Sequence, residues 1–329
     1  MNTTLNIAYR SFRGESDYAV MQQIIATCSR ADGSDFMPTL ADITNNYAHL
    51  VNSDPAQDMR FVEVDGQPVG YARGEWLINV EGQWLGTVIG YVLPAYRRRG
   101  LGRALLQFGE ERLRQVAGGL RESGKLPQNA ECFFSNFVAQ NETAKHALLM
   151  AAGYRPIRYA FDMVRPDLED IPDLPLPPGL ELRPVKPEEM RPIWEASNEA
   201  FRDHWGYVQP PEEEYDRWLH EPINNPALWQ VAWEGDQVAG MVLNFINANE
   251  NEAMQRKRGY TENICVRRPW RKLGLAKALI ARSLAMLKAV GMEHAALGVD
   301  AENISGATHL YEKMGYQVVK RNTIYRKAL

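Results

Sequence analysis

The chain has no run of 18 consecutive apolar residues, and its first residues lack an apolar stretch behind a basic start. The first absence argues against a membrane-spanning helix, the second against a cleaved export signal. Cysteine is scarce: Cys28, Cys132 and Cys265, odd in number and far apart. Scattered thiols make neither a disulfide framework nor a metal-ligand spacing, so a reducing, cytoplasmic setting is expected. His204 and His220 stand 16 residues apart, which is no metal-binding pattern either. Excess positive charge is also missing. With 37 Lys and Arg against 41 Asp and Glu, the net charge is -4. Nothing in that balance suggests a bulk nucleic-acid binder, and any basic site must be local. What is there is an ordinary globular composition, 45% apolar and 24% charged over 329 residues. That is room for two domains of about 150 residues each.

Two stretches of the chain resemble each other. VLPAYRRRGLGRAL (92–105) and VRRPWRKLGLAKAL (266–279) share six of 14 positions without a gap, at an offset of 174. Upstream, IAYRSF resembles LELRPV, and FVEVDGQPVGYA resembles QVAWEGDQVAGMV. Downstream, AQNETAKHALLMAAGYRPI resembles AENISGATHLYEKMGYQVV at an offset of 162. The offset falls by 12, and the polar, turn-rich GLRESGKLPQN (119–129) of the first half accounts for it. Four blocks in one order define a duplicated domain. The segment 165–179 separates the copies, and RPDLEDIPDLPLPPGL (165–180) carries five prolines, which predict a stiff, extended connector. The expected domains are therefore 1–164 and 180–329.

Each half has the same predicted order: strand, helix, hairpin, strand, basic turn, helix, strand, helix, strand. DGQP and EGDQ mark the hairpins. This is an α/β (α+β) domain with a mixed sheet, written twice.

A strand that ends in a basic glycine turn and opens into a helix presents unpaired amides and the positive end of the helix dipole. Glycine allows close approach, and a pyrophosphate suits the place. Neither turn ends in Lys-Ser/Thr, and neither is GxGxxG. The pattern V-x-P-x-x-R-R-x-G-x-G from Val92 to Gly102 resembles the acetyl-coenzyme A motif of the GCN5-related N-acetyltransferase (GNAT) superfamily. The second copy departs from it, with proline one place later at Pro269 and Ala276 for the last glycine. The downstream Asn and LYEKMGY are similar to the family as well, so the resemblance covers essentially the whole chain as a tandem pair.

The resemblance implies a splayed pair of central strands that admits the pantetheine arm. It implies direct transfer of an acetyl group from acetyl-CoA to an amine, with no metal. The coenzyme contacts it implies are Ile264, Cys265, Val266, Arg271, Lys272, Leu273, Gly274, Leu275, Ala276 and Asn303. In the first half they are Val92, Arg97, Arg98, Arg99, Gly100, Leu101, Gly102 and Asn141. Asn303 and Asn141 could instead cap a helix. The expected partner is a small-molecule amine, with no nucleic acid and no membrane, and the chain is expected to be a monomer or homodimer.

Direct transfer needs a base for the amine and an acid for the leaving thiolate. The family pattern puts the acid at Tyr311, eight residues after Asn303; the same count in the first half reaches Leu149. His146, three residues earlier, is a poor substitute. In GYTENICV, Glu262 is the candidate base and shares a face with Ile264 and Val266 by period two. Val88 holds the matching position in the first half. Tyr311 could also be a core aromatic and Glu262 an exposed strand carboxylate. The expectation is a catalytic second half and a degenerate first half. The segment 201–222, with Asp203, His204, Trp205, Tyr207, Glu212, Glu213 and Glu214, is the expected acceptor-facing part, or else a solvated amphipathic helix.

Overall fold

The structure is a computed structural model that describes residues 6–303 and 306–329. The first half runs β1 (Ile7–Arg10), α1 (Tyr18–Asp32), α2 (Leu40–Ala48), α3 (Pro55–Asp58), β2 (Met59–Val64), β3 (Gln67–Ile78), β4 (Trp84–Val92), α4 (Leu101–Glu122), β5 (Cys132–Val138), α5 (Thr143–Ala151) and β6 (Arg155–Arg165). The second runs β7 (Glu181–Leu182), α6 (Met190–Phe201), α7 (Glu212–Leu219), β8 (Gln230–Glu234), β9 (Gln237–Phe245), α8 (Ala248–Ala253), β10 (Arg258–Val266), α9 (Leu275–Ala289), β11 (His294–Asp300), α10 (Ala307–Lys313) and β12 (Gln317–Ala328). The hairpin between β2 and β3 turns at Asp65 and Gly66, both with positive φ (50° and 78°), as its Asp-Gly sequence predicts.

The chain forms two compact units. One comprises residues up to Arg158 together with Thr323–Leu329, and the other Tyr159–Asn322. The first unit's sheet runs β1-β2-β3-β4-β5 and closes with the end of β12, antiparallel to β5 from Thr323 to Ala328. The second runs β7-β8-β9-β10-β11 and closes with β6, whose Ala160–Arg165 stretch lies antiparallel to β11. Each repeat's last strand thus runs on into the other unit. Repeat matching places β6 with the first half and β12 with the second; the spatial units exchange them.

In both units one helix covers each face of the sheet. Leu101, Leu105, Leu106 and Leu113 of α4 pack on Val62, Val88 and Phe134, while Met21, Ile24 and Ile25 of α1 cover Phe61 and Tyr71. In the second unit Leu275, Leu279, Leu284 and Leu287 of α9 pack on Ala239 and Leu297. There Met190, Ile193 and Ala196 of α6 cover Trp233, Met241 and Cys265. These stripes at helical spacing are why the segments are helices on this sheet.

From Pro166 on, the proline-rich segment has neither helix nor strand up to β7. It is not a free tether. Leu168 is buried in the second unit's core, and Ile171, Leu174, Leu176 and Leu180 pack against the same core. Apolar residues interleaved with the prolines hold it down.

Among the described residues each unit's sheet contains one parallel pair, and each such pair opens. β4 and β5 pair only from Trp84–Cys132 to Gly86–Phe134, and β10 and β11 only from Arg258–His294 to Tyr260–Ala296. Beyond those residues the strands part, leaving a gap that leads to the basic turn.

Candidate active site

The two turns have the same backbone. Arg97 and Arg271 are extended (φ -67°, ψ 161° and φ -68°, ψ 153°). Arg98 and Lys272 are left-handed (φ 63° and 65°), and so are Gly100 and Gly274 (φ 86° and 89°). Proline's shift by one place is absorbed in a short 3-10 turn, Pro94–Tyr96 in one unit and Arg268–Trp270 in the other. Gly100 and Gly274 are the N-caps of α4 and α9, and neither helix start has a side-chain cap. The first-turn amides are thus left for an anion.

The arginines of the turns divide. Arg97 points inward: its guanidinium grips Asp32 at 2.6 and 2.8 Å and donates to the Val92 carbonyl at 3.0 Å. Arg271 does the same toward the Val266 carbonyl at 3.0 Å and Asp203 at 3.4 Å. These two side chains tie the turns to the end of each unit's first long helix; Arg98, Arg99 and Lys272 are exposed, and Arg271 is too despite its hydrogen bonds. The sequence reading missed Asp32 and Asp203; the available signal was an aspartate at or just past the end of each unit's first long helix.

In the first unit a cavity of about 630 Å³ runs from Arg98, Gly100 and Gly102 to Val88, Asn136 and Leu149. Asn136 is only 3% exposed, and its Nδ2 has no hydrogen-bond partner among the described residues. Asn141 donates to the Gly33 carbonyl at 2.5 Å. The helices after Asn141 and Asn303 are capped by Glu142 and Gly306, so neither asparagine is an N-cap. His146 is committed to Tyr325 Oη at 2.9 Å and to the Ala139 carbonyl at 3.0 Å.

The second unit's gap differs because of a β-bulge. Glu262 lies opposite Leu243 but Cys265 lies opposite Met241, so Asn263 and Ile264 oppose a single residue of β9. Asn263 has φ 48°. A bulge shifts the pleat and re-aims side chains. Glu262 therefore shares the α6 face with Cys265 rather than with Ile264 and Val266, which pack toward α9. Period-two counting across Asn263 gave the opposite result.

The bulge also corrects the comparison of the halves. β3 and β4 pair without interruption from Gly70–Val92 to Ile78–Trp84. A Cβ on Gly86 would meet Leu113 of α4, and one on Gly259 would run into Leu287 of α9. Gly86 thus matches Gly259, Val88 matches Thr261, and the counterpart of Glu262 is Ile89.

Glu262 is partly buried, and its Oε1 accepts the Gly298 amide across the opened gap at 2.9 Å. Burial, offset by that hydrogen bond and reinforced by the negative charge of Asp162, pushes its pKa up to about 7. Tyr311, 7% exposed, lies on α10 in the same core as Leu297 and Tyr316. Burial first, then the charges of Glu262 and Cys265, raise its pKa above the usual phenol range. Among the described residues its hydroxyl has no hydrogen-bond partner. Leu149 occupies the equivalent backbone site: Tyr154 N donates to the Leu149 carbonyl and Tyr316 N to the Tyr311 carbonyl, both at 3.0 Å.

The raised pKa of Glu262 has a stability signature. Its folded-state value lies above the ordinary 4.5, so the folded chain holds a proton that the unfolded chain has released between pH 4.5 and about 7. Stability falls as pH rises through that window. Glu262→Gln is expected to stabilise the protein at pH 8.5 by on the order of 2–3 kcal/mol and to change little at pH 4.5. Urea denaturation at the two pH values checks this; equal effects at both would mean an ordinary carboxylate.

The acidic and aromatic segment 201–222 is largely committed. Asp203 pairs with Arg268 and Arg271, Glu212 with Arg191, and Glu214 with Arg217. Trp218 stacks on Trp229 (ring centroids 5.5 Å apart). Among the described residues no helix is long and apolar enough to cross a membrane, and no group of three or more His, Cys, Asp or Glu could hold a metal ion.

Two copies of a mixed sheet with a parallel pair opening onto an uncapped basic turn define an acyltransferase architecture. The acetyltransferase (GNAT) family matches residues 19–140 and 190–316. The chain belongs to that family and is a tandem N-acetyltransferase. It is 28% identical over 324 residues to mycothiol acetyltransferase of Geodermatophilus obscurus, covering 95% of this chain and 96% of that one. The enzyme of the same name from Salinispora tropica is 29% identical over 91% of this chain and 90% of its own. Among solved structures, a GCN5-related N-acetyltransferase from Sphaerobacter thermophilus superposes with TM-score 0.68 at 27% identity, over 99% and 97% of the two chains. A tandem GNAT protein from the clavulanic acid biosynthesis pathway gives 0.69 at 15% identity, over 99% and 98%, and so shares the fold.

Proposed function

We propose that the second unit transfers an acetyl group from acetyl-CoA to the primary amine of a small molecule. The carrying observation is Glu262, a carboxylate with a pKa near 7 in the opened strand gap, whose charge reaches Tyr311 in the α9-side core. The coenzyme's pyrophosphate takes the amides from Lys272 to Ala276, and its pantetheine arm follows Ile264, Cys265 and Val266 through the gap toward Asn303. Glu262 takes a proton from the amine, directly or through water. The nitrogen attacks the thioester carbon, and the carbon–sulfur bond breaks. The departing thiolate takes the Tyr311 proton, giving an amide and free coenzyme A. When Glu262 becomes neutral, the charge that raises the Tyr311 pKa disappears, and the phenol is a better donor as sulfur leaves.

The first unit, by this reading, holds coenzyme A without turnover. Its cavity and its Arg98–Gly102 amides suit the ligand, while Ile89 and Leu149 supply neither base nor acid. The relatives' shared name, over nearly their full lengths, supports a small amine acceptor. The test is full-length protein with acetyl-CoA and a panel of small amines, amino sugars and peptide amines, with free thiol followed. Release with a small amine, lost in Glu262→Gln, is expected. Background release from every amine alongside tight coenzyme A binding would make the protein an acyl-CoA sensor instead.

A further inference from the structure

A second carboxylate stands at the opened gap. Gly298 of β11 lies directly opposite Asp162 of β6, so the two point to the same face of the sheet. Gly298 has no side chain to fill that face. Glu262 Oε1 occupies it instead, 3.8 Å from where a Cβ would stand. The Glu262 carboxylate therefore lies over β11 on the face where Asp162 stands one strand further on. Asp162 is held in place: Asn322 Nδ2, on a residue 2% exposed, donates to its Oδ1 at 2.6 Å. In the first unit the corresponding places are Ile89, Phe137 and Ile324, with Phe137 opposite Ile324. Base, gap and second carboxylate are replaced there together by apolar side chains.

We infer that Asp162 is a positioning residue for the transfer, its fixed negative charge keeping the Glu262 carboxylate proton-hungry near neutral pH. This rests on the reading of Glu262 as base. The Gly298 amide from β11 and the charge of Asp162 from β6 act on Glu262; Cys265 shares its face of the sheet, and the Glu262 charge reaches Tyr311 and Tyr316 in the α9-side core. Burial raises the pKa of Cys265 to about 12, and those of Tyr311 and Tyr316 also rise. All three are neutral at pH 7. Among the described residues Asp162 is the charge whose field Glu262 feels.

The Gly298 amide reports on Glu262 without any acceptor, because it donates to that carboxylate. In the full chain its proton chemical shift is expected to titrate with a midpoint near pH 7. Glu262→Gln abolishes the titration. Asp162→Asn moves the midpoint down by roughly half a unit to one unit, and Asp162→Glu, which keeps the charge, restores most of it. A purely structural Asp162 would alter stability and leave the midpoint alone. Should the asparagine variant not fold, Asp162→Ser is read in the same way. An unmoved midpoint in a folded charge-removing variant overturns the inference. The thiol-release assay with Glu262→Gln tests the base assignment separately, so the two failures are distinguishable.

Discussion

Tyr311→Phe is expected to lower turnover by about 10²–10³-fold while acetyl-CoA affinity changes little. The ring stays in its packing, edge-on to Tyr316 with centroids 6.2 Å apart, so the fold has no reason to move. Only the hydroxyl is lost, and among the described residues that hydroxyl supports no other group. A thiolate leaving group without a proton donor must depart charged into a mostly apolar core, which is where the rate falls. Steady-state kinetics together with coenzyme titration separate the two effects. Equal activity would remove Tyr311 as the acid. A parallel loss of coenzyme binding would make it part of the pantetheine wall.

Gly274→Glu is expected to cut activity by about a hundredfold or more, and Gly100→Glu to leave much of it. A carboxylate at the N-cap would sit where the pyrophosphate must approach. Two like charges 4 Å apart cost about 4 kcal/mol at a near-surface dielectric. The comparison controls itself. Both glycines are left-handed with φ near 90°, a Cβ meets nothing within 4 Å at either, and both cap the helix that follows the opened strand. Backbone strain of about 1–2 kcal/mol is therefore the same in both variants. If Gly100→Glu is the damaging change, the roles of the two units are reversed.

The duplication, the sheet class and both turns were legible because they are local. A glycine at positive φ before a helix leaves a fixed sequence trace, and so does the count from Asn303 to Tyr311 or from Asn141 to Leu149. The bulge at Asn263 was not legible. Its cause is one residue more in β10, between Gly259 and Val266, than in β4, between Gly86 and Val92, which shows only when each strand is paired with its neighbour. That single residue turns the match for Glu262 from Val88 into Ile89. Arg97 and Arg271 also read as ligand contacts, since nothing in an arginine's neighbours tells whether it points out to a phosphate or back to Asp32 or Asp203. Asp162 was invisible for a third reason. It lies 100 residues before Glu262 in sequence, on a strand that the repeat assigns to the other half.

The exchange of β6 and β12 makes the two copies inseparable in folding. In an ordinary tandem duplication a catalytically silent half can be deleted at little cost. Here a deletion ending at the proline-rich segment would remove the strand that pairs with β11, and Asp162 with it. It would also leave Thr323–Ala328 without the β5 edge it pairs with. Each half thus depends for its sheet on a strand from the other, whichever of them carries the chemistry.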